Sequence, residues 1–145
     1  MRVRTATSND AHAIRRLIDR NVADGTLLPR SEAFIGMHAP HFLVAEDGGT
    51  VVGCVHLDEY APSLAELRSL AVEPGWQGKG VGRALVQATV SLASRRGYAT
   101  LFAVSNDEAF FGRFGFETRH IPELDRERSE VSRYKGVYAT DIGVV

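Results

Sequence analysis

The residues with the clearest chemical signature lie in one run, Leu70-Ala71-Val72-Glu73-Pro74-Gly75-Trp76-Gln77-Gly78-Lys79-Gly80-Val81-Gly82-Arg83-Ala84-Leu85. An apolar stretch ends at a Pro-Gly turn, and three alternate glycines then open a long apolar-periodic segment. The first amides of a helix have no intrahelical partner and carry the positive end of its dipole, so such a start attracts anions. Glycine lets a phosphate approach the backbone with no Cβ in its way. Lys79 and Arg83 would add charge beside it. Capture of a phosphate or diphosphate is the chemistry this spacing offers; a tight turn with close helix–sheet packing would use the same glycines. Two commoner phosphate loops do not fit. The Walker A pattern needs G-x-x-x-x-G-K-[ST], and the dinucleotide fingerprint needs G-x-G-x-x-G, whereas these glycines run G-x-G-x-G with no ribose-binding acidic residue to follow.

Such a loop needs a strand before it and a helix after it. Residues 64–72 read as the strand. The helix follows from the stripe Val81, Ala84, Leu85, Ala88, Leu92 and Ala93, with Arg95 and Arg96 in its last turn and Gly97 as its stop. Upstream, residues 2–6 alternate as a short strand, and Thr7 to Asp10 offer N-caps for a helix carrying Ile14, Leu17, Ile18 and Val22 and ended by Gly25. A short helix at 31–35 follows Pro29; strands at 42–45 and 51–57 flank the hairpin signal Asp47-Gly48-Gly49, and Ala61-Pro62-Ser63 is the next turn. Downstream come a strand at 98–104, a short helix at 107–114 stopped by Gly115, a strand beginning at 116–120, a charged loop at 122–133 and a last strand at 137–145.

With 145 residues, 44% of them hydrophobic and 24% charged, the chain suits one domain over residues 1–145 with one core. A formal net charge of −1 without a basic arm gives no reason to expect nucleic acid or an acidic membrane as partner. Cys54 is the single cysteine, so no intrachain disulfide can form and a reducing, cytoplasmic setting is expected. No stretch approaches the ~20 apolar residues of a membrane span, and the N-terminus does not read as a secretory signal.

The segment Gln77-Gly78-Lys79-Gly80-Val81-Gly82 resembles the [Arg/Gln]-x-x-Gly-x-[Gly/Ala] signature of the GNAT N-acetyltransferases. Leu70-Ala71-Val72-Glu73-Pro74 is similar to their fourth strand, and Ala109-Phe110-Phe111-Gly112-Arg113-Phe114-Gly115-Phe116 resembles their "F-Y-x-x-x-G-F" ending. The resemblance spans nearly the whole chain. It implies an α/β (α+β) domain: a mixed, mostly antiparallel central sheet flanked by helices, with the fourth and fifth strands splayed apart. It implies acetyl-CoA as cosubstrate and no metal. By resemblance, amides of Gln77, Gly78, Lys79, Gly80, Val81 and Gly82, with Arg83 nearby, would hold the diphosphate. The free edge at Leu70, Ala71 and Val72 would pair with the pantetheine arm, and Asn106 and Phe110 would flank it.

Acetyl transfer requires removal of a proton from the amine and stabilisation of the developing oxyanion. A backbone N–H near Leu70 or Ala71 is the oxyanion donor by resemblance, and Glu66, where family members often carry a glutamate that works through water, is the candidate base. A carboxylate paired to Arg68 at the surface is the other reading of Glu66; His56, Asp58 and Glu59 are alternative bases. Phe111 stands where many members have a tyrosine acid, so either the thiolate leaves unaided or Tyr134 or Tyr138 serves. Cys54 reads as a small buried hydrophobe.

A finer resemblance links Asp24-Gly25-Thr26-Leu27-Leu28-Pro29-Arg30-Ser31 to the "G-x-L-x-x-R-S" segment of N-acetylglutamate synthase acetyltransferase domains. Residues 66–74 resemble theirs, and Arg133-Tyr134-Lys135-Gly136-Val137 resembles their "R-x-S-x-V" region. It implies arginine biosynthesis, the α-amine of glutamate as acceptor, and Arg30, Arg133 and Lys135 as substrate-binding residues. Arginine's planar fork suits a carboxylate. His41 and Lys135 depart from that pattern. Another small amine, a protein N-terminus, or a CoA-binding module without turnover therefore stay open, as does a homodimer sharing the last strand.

Overall fold

Gly48 and Gly49, at φ 57° and 84°, turn the chain back between its first long hairpin strands. Both angles are left-handed, the conformation that a two-residue hairpin turn demands and that glycine adopts without strain. The computed structural model describes residues 1–23, 27–124 and 136–142. In chain order the elements are β1 (Arg2–Thr5), α1 (Ala11–Ala23), α2 (Glu32–Met37), β2 (Phe42–Asp47), β3 (Thr50–Ala61), β4 (Leu64–Val72), α3 (Val81–Arg95), β5 (Thr100–Ser105), α4 (Glu108–Gly112), β6 (Glu117–Thr118) and β7 (Gly136–Asp141).

The strands form one sheet in the order β1-β2-β3-β4-β5-β7-β6. Every neighbouring pair is antiparallel except β4 and β5, which are joined through α3 and run parallel. The expected mixed, mostly antiparallel sheet is what forms. β3 runs to Ala61, further than the expected 57, because its end pairs with the start of β4 at Ala61↔Leu64. The strand expected at 116–120 shrinks to the two residues of β6. Gly25 and residues 143–145 lie outside the described residues.

Local chemistry sets the helix ends. Thr7 and Asp10 form a capping box, and Arg4 grips the Asp10 carboxylate with two bonds of 2.8 and 3.0 Å. Ser31 caps α2 by accepting from Phe34 N–H at 3.1 Å, and Asp107 caps α4 by accepting from Phe110 N–H at 3.0 Å. Ile14, Leu17 and Ile18 of α1 pack with Ile35, Phe42, Val44 and Cys54 on one face of the sheet. Val81, Leu85, Val86 and Ala93 of α3 pack with Leu43, Val55, Leu57 and Leu101 on the other. Each buried valine, leucine, isoleucine or phenylalanine among them contributes about 1.5–3 kcal/mol by burial. Thr89 falls inside that stripe, although its polarity hid it, because its hydroxyl donates to Leu85 O at 2.7 Å within the helix.

The alternation of β4 breaks once. His56 pairs with Arg68 and Cys54 with Ala71, so Ser69 and Leu70 together face the single residue Val55. Ser69 is the one non-glycine residue at positive φ among those described, at 53°. This bulge changes which side chains face which layer. Ala65 and Leu67 face α3, Leu70 and Val72 keep that side beyond the bulge, and Ala71 turns under α1.

Candidate active site

The parallel pairing of β4 with β5 covers only Leu64↔Thr100, Ala65↔Leu101 and Glu66↔Phe102. Beyond it the two strands part. The side of residues 67–72 that faces β5 is left without a ladder, as a sheet edge inside the molecule. A cavity of about 730 Å³ occupies the wedge. Its walls are residues 66–72 of β4, Ala103, Val104 and Ser105 of β5, Phe110 and Phe111 of α4, the start of α3, and Asn21, Leu27, Leu28 and Arg30.

One end is the glycine loop. Gly78 and Gly80 adopt φ 77° and 86°, and Gly80 is the N-cap of α3. The first backbone bond into the helix is Ala84 N–H to Gly80 O at 3.0 Å. Among the described residues, no backbone acceptor engages the amides of residues 78–83. A Cβ on Gly82 would meet Phe110 Cζ at 3.5 Å, an ordinary contact, so α3 and α4 approach at the cavity wall without requiring glycine there.

Gln77, Gly78, Gly80, Val81, Gly82, Arg83, Leu70, Ala71, Val72, Asn106 and Phe110 all line this cavity, but the Gln77 amide expected to hold the diphosphate donates instead to Pro74 O at 3.4 Å, closing the turn before the loop. Lys79 does not: its ammonium lies over the Trp76 ring, 5.3 Å from the centroid, where the electron-rich indole face attracts the cation. Val81 contributes backbone alone, since its side chain is buried in the core.

The other end is polar. Glu66 is only 2% exposed yet lines the cavity, so it is not a solvated strand carboxylate. Its Oε1 is 3.7 Å from Arg68 Nε, and Arg68 Nη1 donates to Asp58 Oδ2 at 3.1 Å. Arg30 lines the same space, with its guanidinium 5.5 Å from the Phe34 ring centroid. The alternative bases fall elsewhere. His56 lies flat on Phe42, at 4.3 Å between ring centroids, and burial pushes its pKa down to about 4. Asp58 is engaged by Arg68, Glu59 accepts from Tyr98 Oη at 3.0 Å, and none of the three lines the cavity.

Cys54 is fully buried, and its thiol is pushed up to about 12 by loss of solvent, which leaves it inert as a nucleophile. Phe111 lines the cavity with its ring stacked toward Tyr138 at 6.4 Å, and Tyr138 itself stays behind that wall. His41 lies outside the cavity and accepts from Arg96 at 3.1 Å; burial and then that guanidinium hold its pKa below the usual histidine value. Arg133, Tyr134 and Lys135 lie outside the described residues.

Sequence reasoning passed over Asn21, Trp76, Arg113, Leu27 and Leu28 as wall residues. Trp76 had a visible signal, since a large aromatic beside a glycine loop has few other places to go. Asn21 had none, because reaching the wall depends on how α1 crosses the sheet.

Residues 38–118 match the family model described as an acetyltransferase (GNAT) domain. The chain belongs to the GNAT acetyltransferase family. This N-acetyltransferase is 37% identical over 86% of its length to an uncharacterized N-acetyltransferase of Chlorobaculum tepidum, covering 77% of that protein. It is 33% identical over 98% of its length to an amino-acid acetyltransferase of Mycobacterium tuberculosis, covering 80% of it. A crystal structure of N-acetylglutamate synthase from Neisseria gonorrhoeae, complexed with coenzyme A and N-acetyl-glutamate, superposes with a TM-score of 0.89 at 30% identity, over 98% of this chain and 35% of that one. The acetyltransferase spans about a third of the longer curated amino-acid acetyltransferases it matches. Among the described residues, no group of three or more His, Cys, Asp or Glu could hold a metal, and no helix is long and apolar enough to cross a membrane.

Proposed function

We propose that the protein transfers the acetyl group of acetyl-CoA to the α-amine of a small amino acid, with glutamate the leading acceptor. The observation that carries this reading is one continuous cavity that joins partnerless helix-start amides, an unladdered strand edge and a buried carboxylate. Similarity to amino-acid acetyltransferases and to a synthase solved with coenzyme A supports it. A cytoplasmic role in arginine biosynthesis is the setting that the glutamate reading implies.

In this reading acetyl-CoA supplies the thioester carbonyl, and the chain's own groups do the rest. Amides of residues 78–83, with the Arg83 side chain, hold the diphosphate. The edge at Leu70, Ala71 and Val72 binds the amide-bearing arm as a strand would, with Asn106 and Phe110 closing the far side. An amide at the Ser69–Leu70 bulge, out of register with β3, steadies negative charge on the carbonyl oxygen. Glu66, directly or through one water, takes the proton from the attacking amine. Arg30, with Arg133 and Lys135, binds the acceptor's carboxylates.

Thiol release from acetyl-CoA with glutamate, aspartate, glutamine and polyamines tests the reading. Turnover with an amino acid, glutamate above all, is expected. Turnover with polyamines alone would move the acceptor class. Phe111, which cannot protonate a departing thiolate, favours one competing reading, a CoA-binding module. That module would bind CoA and release no thiol with any acceptor.

A further inference from the structure

Cross-strand pairing puts four polar side chains on one face of β3 and β4 in two adjacent rungs, His56 opposite Arg68 and Asp58 opposite Glu66. Two carboxylates here share one guanidinium. The Asp58 side chain is 33% exposed and that of Glu66 is 3% exposed, so water reaches the first and hardly reaches the second. Burial favours the neutral acid, and a cation within reach favours the anion. A general base must already be ionised when the amine arrives. Asp58 anchors Arg68 Nη1 from the neighbouring rung, which turns the Nε edge toward Glu66.

The strands on either side of β4 carry no lysine or arginine to act on Glu66. On β3, His56 is neutral above about pH 4, and Tyr60 turns its hydroxyl to Glu123 O at 3.1 Å. On β5 the opposing residue is Phe102. Arg30 lines the same cavity.

We propose that Arg68 is the positioning residue that keeps buried Glu66 ionised, and so sets the pH at which the base becomes available. The proposal rests on Glu66 acting as the base in the reading above. It gives Arg68 work that needs no contact with either substrate.

Two readouts test it in the full chain. The Glu66 carboxyl is followed by carbon-13 NMR across pH, assigned by its loss in E66Q, and kcat/KM for the amino-acid acceptor is measured over the same range. In Arg68→Met the Glu66 midpoint and the acid limb of kcat/KM are expected to move up together by about one to three pH units. The rate at pH 6 then drops at least tenfold and recovers as pH rises past the new midpoint. Arg68→Lys, which keeps the charge, should leave both near wild type. Arg68→Gln takes the place of the methionine variant if that variant does not fold, with the same expected movement. An unmoved Glu66 midpoint, or a rate lowered by one factor at every pH, overturns the proposal. A midpoint that moves while the acid limb stays put supports Arg68's hold on Glu66 and instead removes Glu66 from the role of base.

Discussion

A carboxylate at 2% exposure has to be stabilised by something other than bulk water, and Glu66 has Arg68 within 4 Å. Its proposed role predicts that Glu66→Gln lowers kcat by about 10²- to 10⁴-fold. Affinity for CoA, measured by calorimetry, should stay at the wild-type value, because glutamine keeps the shape of the wall. Arg30→Ala should raise the acceptor KM about tenfold or more while the acetyl-CoA KM changes little, since a lost charge-assisted bond is worth about 1.5–3 kcal/mol. Steady-state kinetics with each substrate varied separates the two. At this scale the sequence was informative about residue type and poor on direction. Glu66 and Arg30 were legible as candidates, and both line the cavity. Lys79 was not, because a lysine in a cationic loop can turn several ways, and the Trp76 ring decides which. His56 and Asp58 shared Glu66's strand periodicity, and only the parting of β4 from β5 distinguishes them.

At the scale of elements, the glycine loop and α3 work as one unit. Gly80 caps the helix in a left-handed conformation, with nothing within 4 Å of the place where a Cβ would sit. Gly80→Ala therefore meets no clash and costs about 1–2 kcal/mol in backbone strain alone. CoA affinity should fall with it, because the strain is relieved by turning the amides that the anion needs; urea unfolding and CoA calorimetry read the two effects. Gly53 on β3 is a different case. A Cβ there would come within 2.8 Å of Val81 Cγ1 and 2.9 Å of Leu85 Cδ1. Gly53→Ala should cost about 1–3 kcal/mol by overpacking, and it should weaken CoA binding by lifting the first turn of α3 off the sheet. The loop was readable from its glycines and the helix from its stripe. The Ser69 bulge was not, since no residue type announces an extra residue in a strand when serine takes the left-handed angle.

At the scale of the molecule, acid sensitivity follows from two groups. His56 is buried neutral, with its pKa near 4 against 6.5 in an unfolded chain. Between those values the unfolded state binds more protons, so stability falls as pH drops through that window and the loss is complete once pH passes below 4. Urea unfolding at pH 7 and pH 5 should show about 2 kcal/mol lost from this group, and His56→Phe, which preserves the stack on Phe42, should flatten that part of the profile. Asp10 acts lower. Its grip by Arg4 holds its pKa below the usual carboxylate range, so its contribution is full above that range and is lost progressively as pH falls from there through the depressed value. The strand order was foreseeable by resemblance alone, because periodicity names strands without saying which neighbours they choose.

The seam between β4 and β5 has a further consequence for how the sheet breathes. Three rungs stitch its two halves, while β3 and β4 are laddered along nearly their full length. Amide deuterium uptake along residues 67–72 should therefore alternate, slow where an N–H turns to β3 and fast where it turns to the gap. A bound arm that lies in the gap like a borrowed strand should erase that alternation, so the ligand completes a fabric that the polypeptide leaves unsewn.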